Sequence, residues 1–283
     1  MAREFAAIME DIKIQHTVFA MPFAVMSAFI AAHGTPPLGA LGLIVVAMVF
    51  ARSAAMAFNR LVDASFDEKN PRTKGRVIPS GMASRRQYVF FIVAASSGFI
   101  LACSQINRLS LILSPVALLI VFFYSYTKRF TAYSHFFLGL ALSLAPLGAW
   151  IAVKEEISAA SLVLGGAVVF WLAGLDAIYA LQDMEFDRAH GLNSIPQRFG
   201  VRRALILSAL FHAVMVGLLF ILLFISPLSW IYGVGTSLTA GLLLYEHWLV
   251  RPDDLSKVNV AFFNVNGVIS VGLMAFTIAD ILV

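Results

Sequence analysis

Apolar residues fill this chain in runs of about twenty, separated by short stretches that hold most of its charged residues. A helical run of that length matches the ~30 Å hydrocarbon core of a bilayer. Nine spans are predicted, over about 14–33, 38–58, 88–107, 109–127, 134–153, 161–182, 203–225, 227–250 and 258–281. Pro22, Pro115 and Pro146 fall within spans and predict kinks that neighbouring helices must re-satisfy. The fold class is therefore all-α, a polytopic membrane protein. A soluble domain and a β-barrel are both excluded by the pattern. No linker or low-complexity tract interrupts it, so residues 1–283 read as a single transmembrane domain.

Composition agrees: 60% of the 283 residues are hydrophobic and 13% are charged. The net charge of +4 would point to nucleic acid in a soluble protein, but here it belongs to the loops. Of the 20 Lys and Arg residues, all but Arg52, Arg108 and Lys154 fall at the N-terminus or in loops on one side of the predicted spans. That side carries Arg3, Lys13, the cluster from Arg60 to Arg86, Lys128, Arg129, the cluster from Arg188 to Arg203, Arg251 and Lys257. The asymmetry places the N-terminus and these loops in the cytoplasm of a prokaryotic inner membrane, and nine spans put the C-terminus outside. The single cysteine, Cys103, excludes an intramolecular disulfide and a cysteine metal site. The first apolar run is not a signal peptide, because Glu10 and Asp11 spoil the basic stretch such a peptide needs.

The chemistry-bearing stretch is NRLVDASFD at 59–67, which spaces Asn59, Asp63 and Asp67 four apart. Four-residue spacing puts all three on one face of a helix. A second pair, Asp183 and Asp187, lies 120 residues further on in YALQDMEFD. Both sets end apolar spans, and like charges at this spacing repel unless a cation joins them. Hard carboxylate oxygens in small number suit Mg²⁺ shared with a substrate phosphate, so the cation inferred is Mg²⁺ and its load a diphosphate. The alternative is structural ion pairing with nearby Arg and Lys.

Basic residues supply the rest of an anion site. Arg72, Lys74 and Arg76 follow the first acids in NPRTKGR, Lys128 and Arg129 end a span beside Tyr124 and Tyr126, and Arg188 follows the second acids. Each also satisfies the bias of basic residues to cytoplasmic loops. Two ionisable groups lie deeper. Arg52 is seven residues before Asn59, and Asp176 seven before Asp183. Either the two pair across the helices, or Arg52 reads an acidic group on a second substrate in a pocket shared with Tyr179. The six histidines show no metal spacing, and His190 reads as solvated.

The sequence Asn59-x-x-x-Asp63-x-x-x-Asp67, then NPRTKGR at 70–76, YSYTKR at 124–129 and Asp183-x-x-x-Asp187, resembles the UbiA superfamily of membrane aromatic prenyltransferases. AMAFNRLVD and DAIYALQDMEFDR bring it nearest the 4-hydroxybenzoate polyprenyltransferases, including the menaquinone-pathway type. The resemblance implies helices around a central cavity open sideways to lipid. It implies Asn59, Asp63, Asp67, Asp183 and Asp187 as ligands of Mg²⁺ and its diphosphate, with Lys128 and Arg72 on diphosphate oxygens. It implies transfer of a polyprenyl group from its diphosphate to an aromatic acceptor, as in ubiquinone or menaquinone synthesis. Relatives acting on haem, homogentisate or lipid-ether acceptors share the acid motifs. Many members carry an acid beside the first Asn, where this chain has Arg60. A cation-coupled transporter would explain intramembrane acids, but not their position beside NPRTKGR. The CDP-alcohol phosphotransferases open their acid motif with Asp-Gly followed by an Ala-Arg pair, an opening that is absent here. Nothing in the pattern fixes an oligomeric state.

Overall fold

A computed structural model describes residues 2–12 and 20–283; part of the first expected span (14–19), Lys13 and His16 lie outside them. The helices are α1 (Ala2–Asp11), α2 (Met21–Ala32), α3 (Leu38–Asp67), α4 (Arg85–Ile106), α5 (Arg108–Thr127), α6 (Ser134–Lys154), α7 (Ala159–Tyr179), α8 (Met184–His190), α9 (Ile195–Phe199), α10 (Val201–Ile225), α11 (Trp230–Leu249) and α12 (Asn266–Leu282). A 3₁₀ turn at Ala180–Asp183 joins α7 to α8, and a π-helical turn at Val260–Val265 leads into α12. There is no β-strand among the described residues.

Among the described residues, seven helical stretches are long and apolar enough to cross a membrane, against the nine expected. Described helix α2 has only twelve residues. Helix α11 has a span's length but is diluted by Gly233, Thr236, Ser237, Thr239 and Glu246. Phe90, Leu119 and Phe224 on α4, α5 and α10 are 76%, 68% and 83% exposed. Side chains of that kind are costly against water and at home against acyl chains. The chain is an integral membrane protein.

Helix α3 sets the site's height. Its 30 residues measure about 45 Å at 1.5 Å per residue, longer than the ~30 Å hydrocarbon core, and its last turns carry the polar groups Asn59, Asp63 and Asp67. Helix α7 is the central post, flanked by α6 and α10. Small residues permit that closeness: a Cβ at Gly139 would meet the Val169 carbonyl, and one at Gly174 would meet His212 and the Ser208 carbonyl. Pro22 starts α2 instead of interrupting it, where no helical N–H is required. Pro115 and Pro146 do lie inside α5 and α6, and the Ser27 hydroxyl donates to the Pro146 carbonyl at 2.7 Å.

Candidate active site

A cavity of about 1030 Å³ runs between the helices, and both acidic clusters lie on its wall. Asn59, Asp63 and Asp67 come from the last turns of α3, which stay α-helical to Asp67 as the spacing predicts. Asp63 and Asp67 are buried. The second set departs from expectation. Helix α7 gives out at Tyr179, the chain tightens into the 3₁₀ turn, and α8 restarts after Asp183. Asp183 and Asp187 therefore do not share one unbroken helix face.

Each aspartate has a partner. Lys128 Nζ donates to Asp63 Oδ2 at 2.6 Å, and Asn59 Nδ2 reaches the same oxygen at 3.1 Å. Arg129 stands 3.7 Å from Asp63 Oδ1 and donates to the Val62 carbonyl at 2.9 Å. Arg76 Nη1 sits between the two oxygens of Asp67, 2.7 Å from each. The loop after α3 then crosses the cavity to the second set. Arg72 Nε donates to Asp183 Oδ1 at 3.0 Å and its Nη2 to Oδ2, while Nη1 donates to the Tyr179 hydroxyl at 3.2 Å. Partial burial disfavours the Arg72 charge, but the hydrogen bond and charge of Asp183 outweigh it and raise the guanidinium's pKa. Asn70 ties this together: its Nδ2 donates to Asp183 Oδ1 at 3.2 Å and its Oδ1 accepts from the Arg72 backbone N–H at 2.9 Å. Ser194 Oγ donates to Asp187 Oδ2 at 2.9 Å.

Several expectations need correcting. Arg52 and Asp176 do not pair. Both line the cavity, but Asp176 bonds His135, 2.7 Å from Oδ2 to Nδ1, and Arg52 Nε is buried with no hydrogen bond. Arg52, Tyr124 and Tyr179 line the same cavity, and the Tyr179 hydroxyl accepts from Arg72. Arg188 and Lys74 are exposed and off the cavity wall. His190 stacks on Phe186 at 4.0 Å and bonds its carbonyl. Arg60, the departure from the family pattern, is buried against Asp11 of α1, 3.6 Å from Nε to Oδ2, and Tyr88 donates to the same oxygen. Asn70, Ser194 and His135 also line the cavity without being singled out by the sequence. Asn70 opens NPRTKGR and carried a signal; Ser194 and His135 reach the site only through tertiary packing.

Residues 20–268 match the model of the UbiA prenyltransferase family. The chain belongs to the UbiA prenyltransferase family. It is a prenyltransferase. A 4-hydroxybenzoate octaprenyltransferase of Aliivibrio fischeri (strain MJ11) is 31% identical over 251 residues, 87% of each chain. One from Hydrogenovibrio crunogenus is 31% identical over 260 residues, 90% of each. The apo structure of a UbiA homolog from Aeropyrum pernix K1 superposes with a TM-score of 0.86 at 32% identity, covering 95% of this chain and 99% of that one. A UbiA homolog from Archaeoglobus fulgidus bound to DMAPP and Mg²⁺ shares the fold, with a TM-score of 0.77 at 21% identity, covering 97% and 98%.

The UbiA donor set fits a hard divalent ion brought in with a phosphate. All the candidate ligands are oxygens, and Asp63 Oδ1 is buried with no hydrogen bond. Among the described residues, no three carboxylate, histidine or cysteine side chains stand close enough to cage an ion alone. Mg²⁺ habitually takes one or two carboxylates and completes its shell with substrate phosphates and water.

Proposed function

We propose that this enzyme transfers a polyprenyl group from polyprenyl diphosphate to 4-hydroxybenzoate or a related hydroxy-aromatic acid, as in ubiquinone or menaquinone synthesis. The observation that carries the reading is one large cavity whose wall holds Asp63, Asp67, Asp183 and Asp187 together with Arg72, Arg76 and Lys128. The names of the Aliivibrio and Hydrogenovibrio relatives, and the DMAPP and Mg²⁺ bound to the Archaeoglobus homolog, support it.

Asn59, Asp63, Asp67, Asp183 and Asp187 would hold Mg²⁺, which when bound offsets negative charge on the departing diphosphate. Arg72, Arg76 and Lys128, which bond Asp183, Asp67 and Asp63 in the structure, would also present donors to the diphosphate oxygens, where charge develops as the allylic C–O bond breaks. Leu118, Val121, Leu138 and Leu142 line the apolar wall and keep water from the allylic cation. Arg52 binds the carboxylate of the acceptor, with Tyr124 beside it. The acceptor's hydroxyl makes its ring electron-rich, and the ring attacks through carbon. A long tail explains the setting, since each buried CH₂ contributes ~0.8 kcal/mol to partition into lipid. In this reading the chain is one domain with nine spans, α2 and α11 included. The cavity opens to lipid, and the basic loops face the cytoplasm.

Membranes holding the enzyme, given a panel of prenyl diphosphates and aromatic acids with Mg²⁺ or with EDTA, test this by product mass. A prenylated hydroxy-aromatic acid formed only with Mg²⁺ is expected; no product from any aromatic acid overturns the reading. Arg52→Ala raises the KM for the aromatic acid about tenfold and leaves that for the prenyl diphosphate unchanged. Equal effects on both return Arg52 to a structural role.

A further inference from the structure

Replacing a ring hydrogen requires something to take the proton, and most carboxylates on the cavity wall are already engaged. Asp63, Asp67 and Asp183 are paired with Lys128, Arg76 and Arg72, Asp187 accepts from Ser194, and Asp11 pairs with Arg60. Glu10 also lines the cavity, on α1 beside Asp11 and away from α7 in the chain. Asp176 differs. It lies on α7 with no Lys or Arg partner among the described residues, and its side chain is 25% exposed on the cavity wall.

We propose that Asp176 is the base that receives the ring proton, with His135 as the residue that positions it. This rests on the functional reading above. His135 is 2% exposed and has both ring nitrogens committed. The Ile195 backbone N–H donates to Nε2 at 3.2 Å. A backbone N–H only donates, so Nε2 holds a lone pair and the proton of the neutral imidazole is on Nδ1. His135 therefore donates to Asp176 Oδ2 at 2.7 Å. That fixes the carboxylate and leaves Oδ1 with no hydrogen bond among the described residues. His135 itself has no free nitrogen with which to act as a base.

Depth supports the assignment. Asp176 precedes Asp183 by seven residues, and Arg52 precedes Asn59 by seven. On α3 that is two helical turns, about 10 Å, and on the other side it is the last turn of α7 and the 3₁₀ turn, so each of these cavity-lining groups lies further into the bundle than the acids that follow it. An acceptor whose carboxylate meets Arg52 would lie across the cavity from Asp176. The allylic C–O electron pair leaves with the diphosphate. Two ring π electrons form the new C–C bond at the carbon ortho to the hydroxyl. The proton on that carbon passes to Asp176 Oδ1, and the C–H pair returns to the ring.

The test compares wild type and Asp176→Asn with 4-hydroxybenzoate carrying hydrogen or deuterium on the ring, at saturating prenyl diphosphate and Mg²⁺. Expected is a kcat loss of ~10²-fold or more, an unchanged KM for prenyl diphosphate, and a deuterium effect on kcat larger than in wild type. The larger isotope effect follows because proton removal becomes limiting. Wild-type kcat, or a slow variant whose isotope effect equals that of wild type, overturns the proposal. If Asp176→Asn is not recovered folded, His135→Gln decides by the same readout: a smaller kcat loss with a raised isotope effect supports it, and an unraised one overturns it. A wild type that makes no product from 4-hydroxybenzoate overturns the functional reading as well. Product from wild type without an isotope response in the variants overturns this inference alone.

Discussion

In α3, Asp63 and Asp67 stand one turn apart on an unbroken helix and are buried, whereas Asp183 and Asp187 flank the restart of a helix after a 3₁₀ turn and are partly open. The two pairs have the same four-residue spacing. Their support is different. Helix periodicity alone orients the first pair, and its cations come from the following loop and from the end of α5. The second pair is held from outside its own segment, by Arg72 and Asn70 from the loop after α3 and by Ser194 ahead of α9. A repeated motif can thus be rigid at one copy and dependent on tertiary contacts at the other. Substitutions at the two ends should separate these cases.

The largest effect is expected at the rigid end. Asp63→Ala removes a buried carboxylate and leaves Lys128 without its partner and Arg129 without the charge near it. Loss of one member of such a group costs several kcal/mol of charge balance, so prenyl transfer should fall by ~10³-fold or more. Product formation measured beside detergent-extracted yield checks this, with insertion into the membrane retained. Near-normal turnover would remove Asp63 from the ligand set.

Arg72→Ala comes next and tests the link between the ends. It removes the bidentate partner of Asp183 and the support of the Tyr179 hydroxyl. The prenyl diphosphate KM should rise and kcat/KM fall ~10²-fold, while the KM for the aromatic acid changes little. An effect confined to the aromatic acid would place Arg72 on the other substrate. Ser194→Ala is milder. It deletes one neutral-to-charged hydrogen bond to Asp187, ~1–2 kcal/mol and hence about a tenfold loss in kcat/KM. The equivalent loss at the rigid end has no counterpart, because Asp67 is held by a guanidinium already.

The contrast also explains which parts of the molecule were legible in the chain. The all-helical membrane class, α3 to its last aspartate and the pairing of acids with NPRTKGR follow from periodicity and local charge. The break in α7 does not: nothing between 176 and 187 is Pro or Gly, so only packing against the loop after α3 and α9 reveals it. The pairing of Asp176 with His135, not Arg52, is invisible for the same reason, since 41 residues separate the partners. Arg60 looked like an oddity beside the motif and turns out to anchor α1 through Asp11. The expected nine spans came from apolar length alone, and α11 shows how a helix of that length can dilute its own signal with Gly, Thr and Glu246.

Arg188 gives the smallest expected effect and the sharpest control. By sequence it is a cation directly after Asp187, as Arg72 is a cation in the stretch that follows the first motif. In the fold it is exposed on α8 and is not on the cavity wall, while Ser194 donates to Asp187. An exposed charge with no fixed partner contributes little, and salt screens what remains. Arg188→Ala should therefore change kcat/KM by less than about twofold, measured beside Arg72→Ala under the same conditions. A loss for Arg188→Ala as large as that for Arg72→Ala would mean that α8 turns during turnover and brings its own cation to the diphosphate. The contrast between a rigid and a supported end would then be one between a fixed end and a moving one.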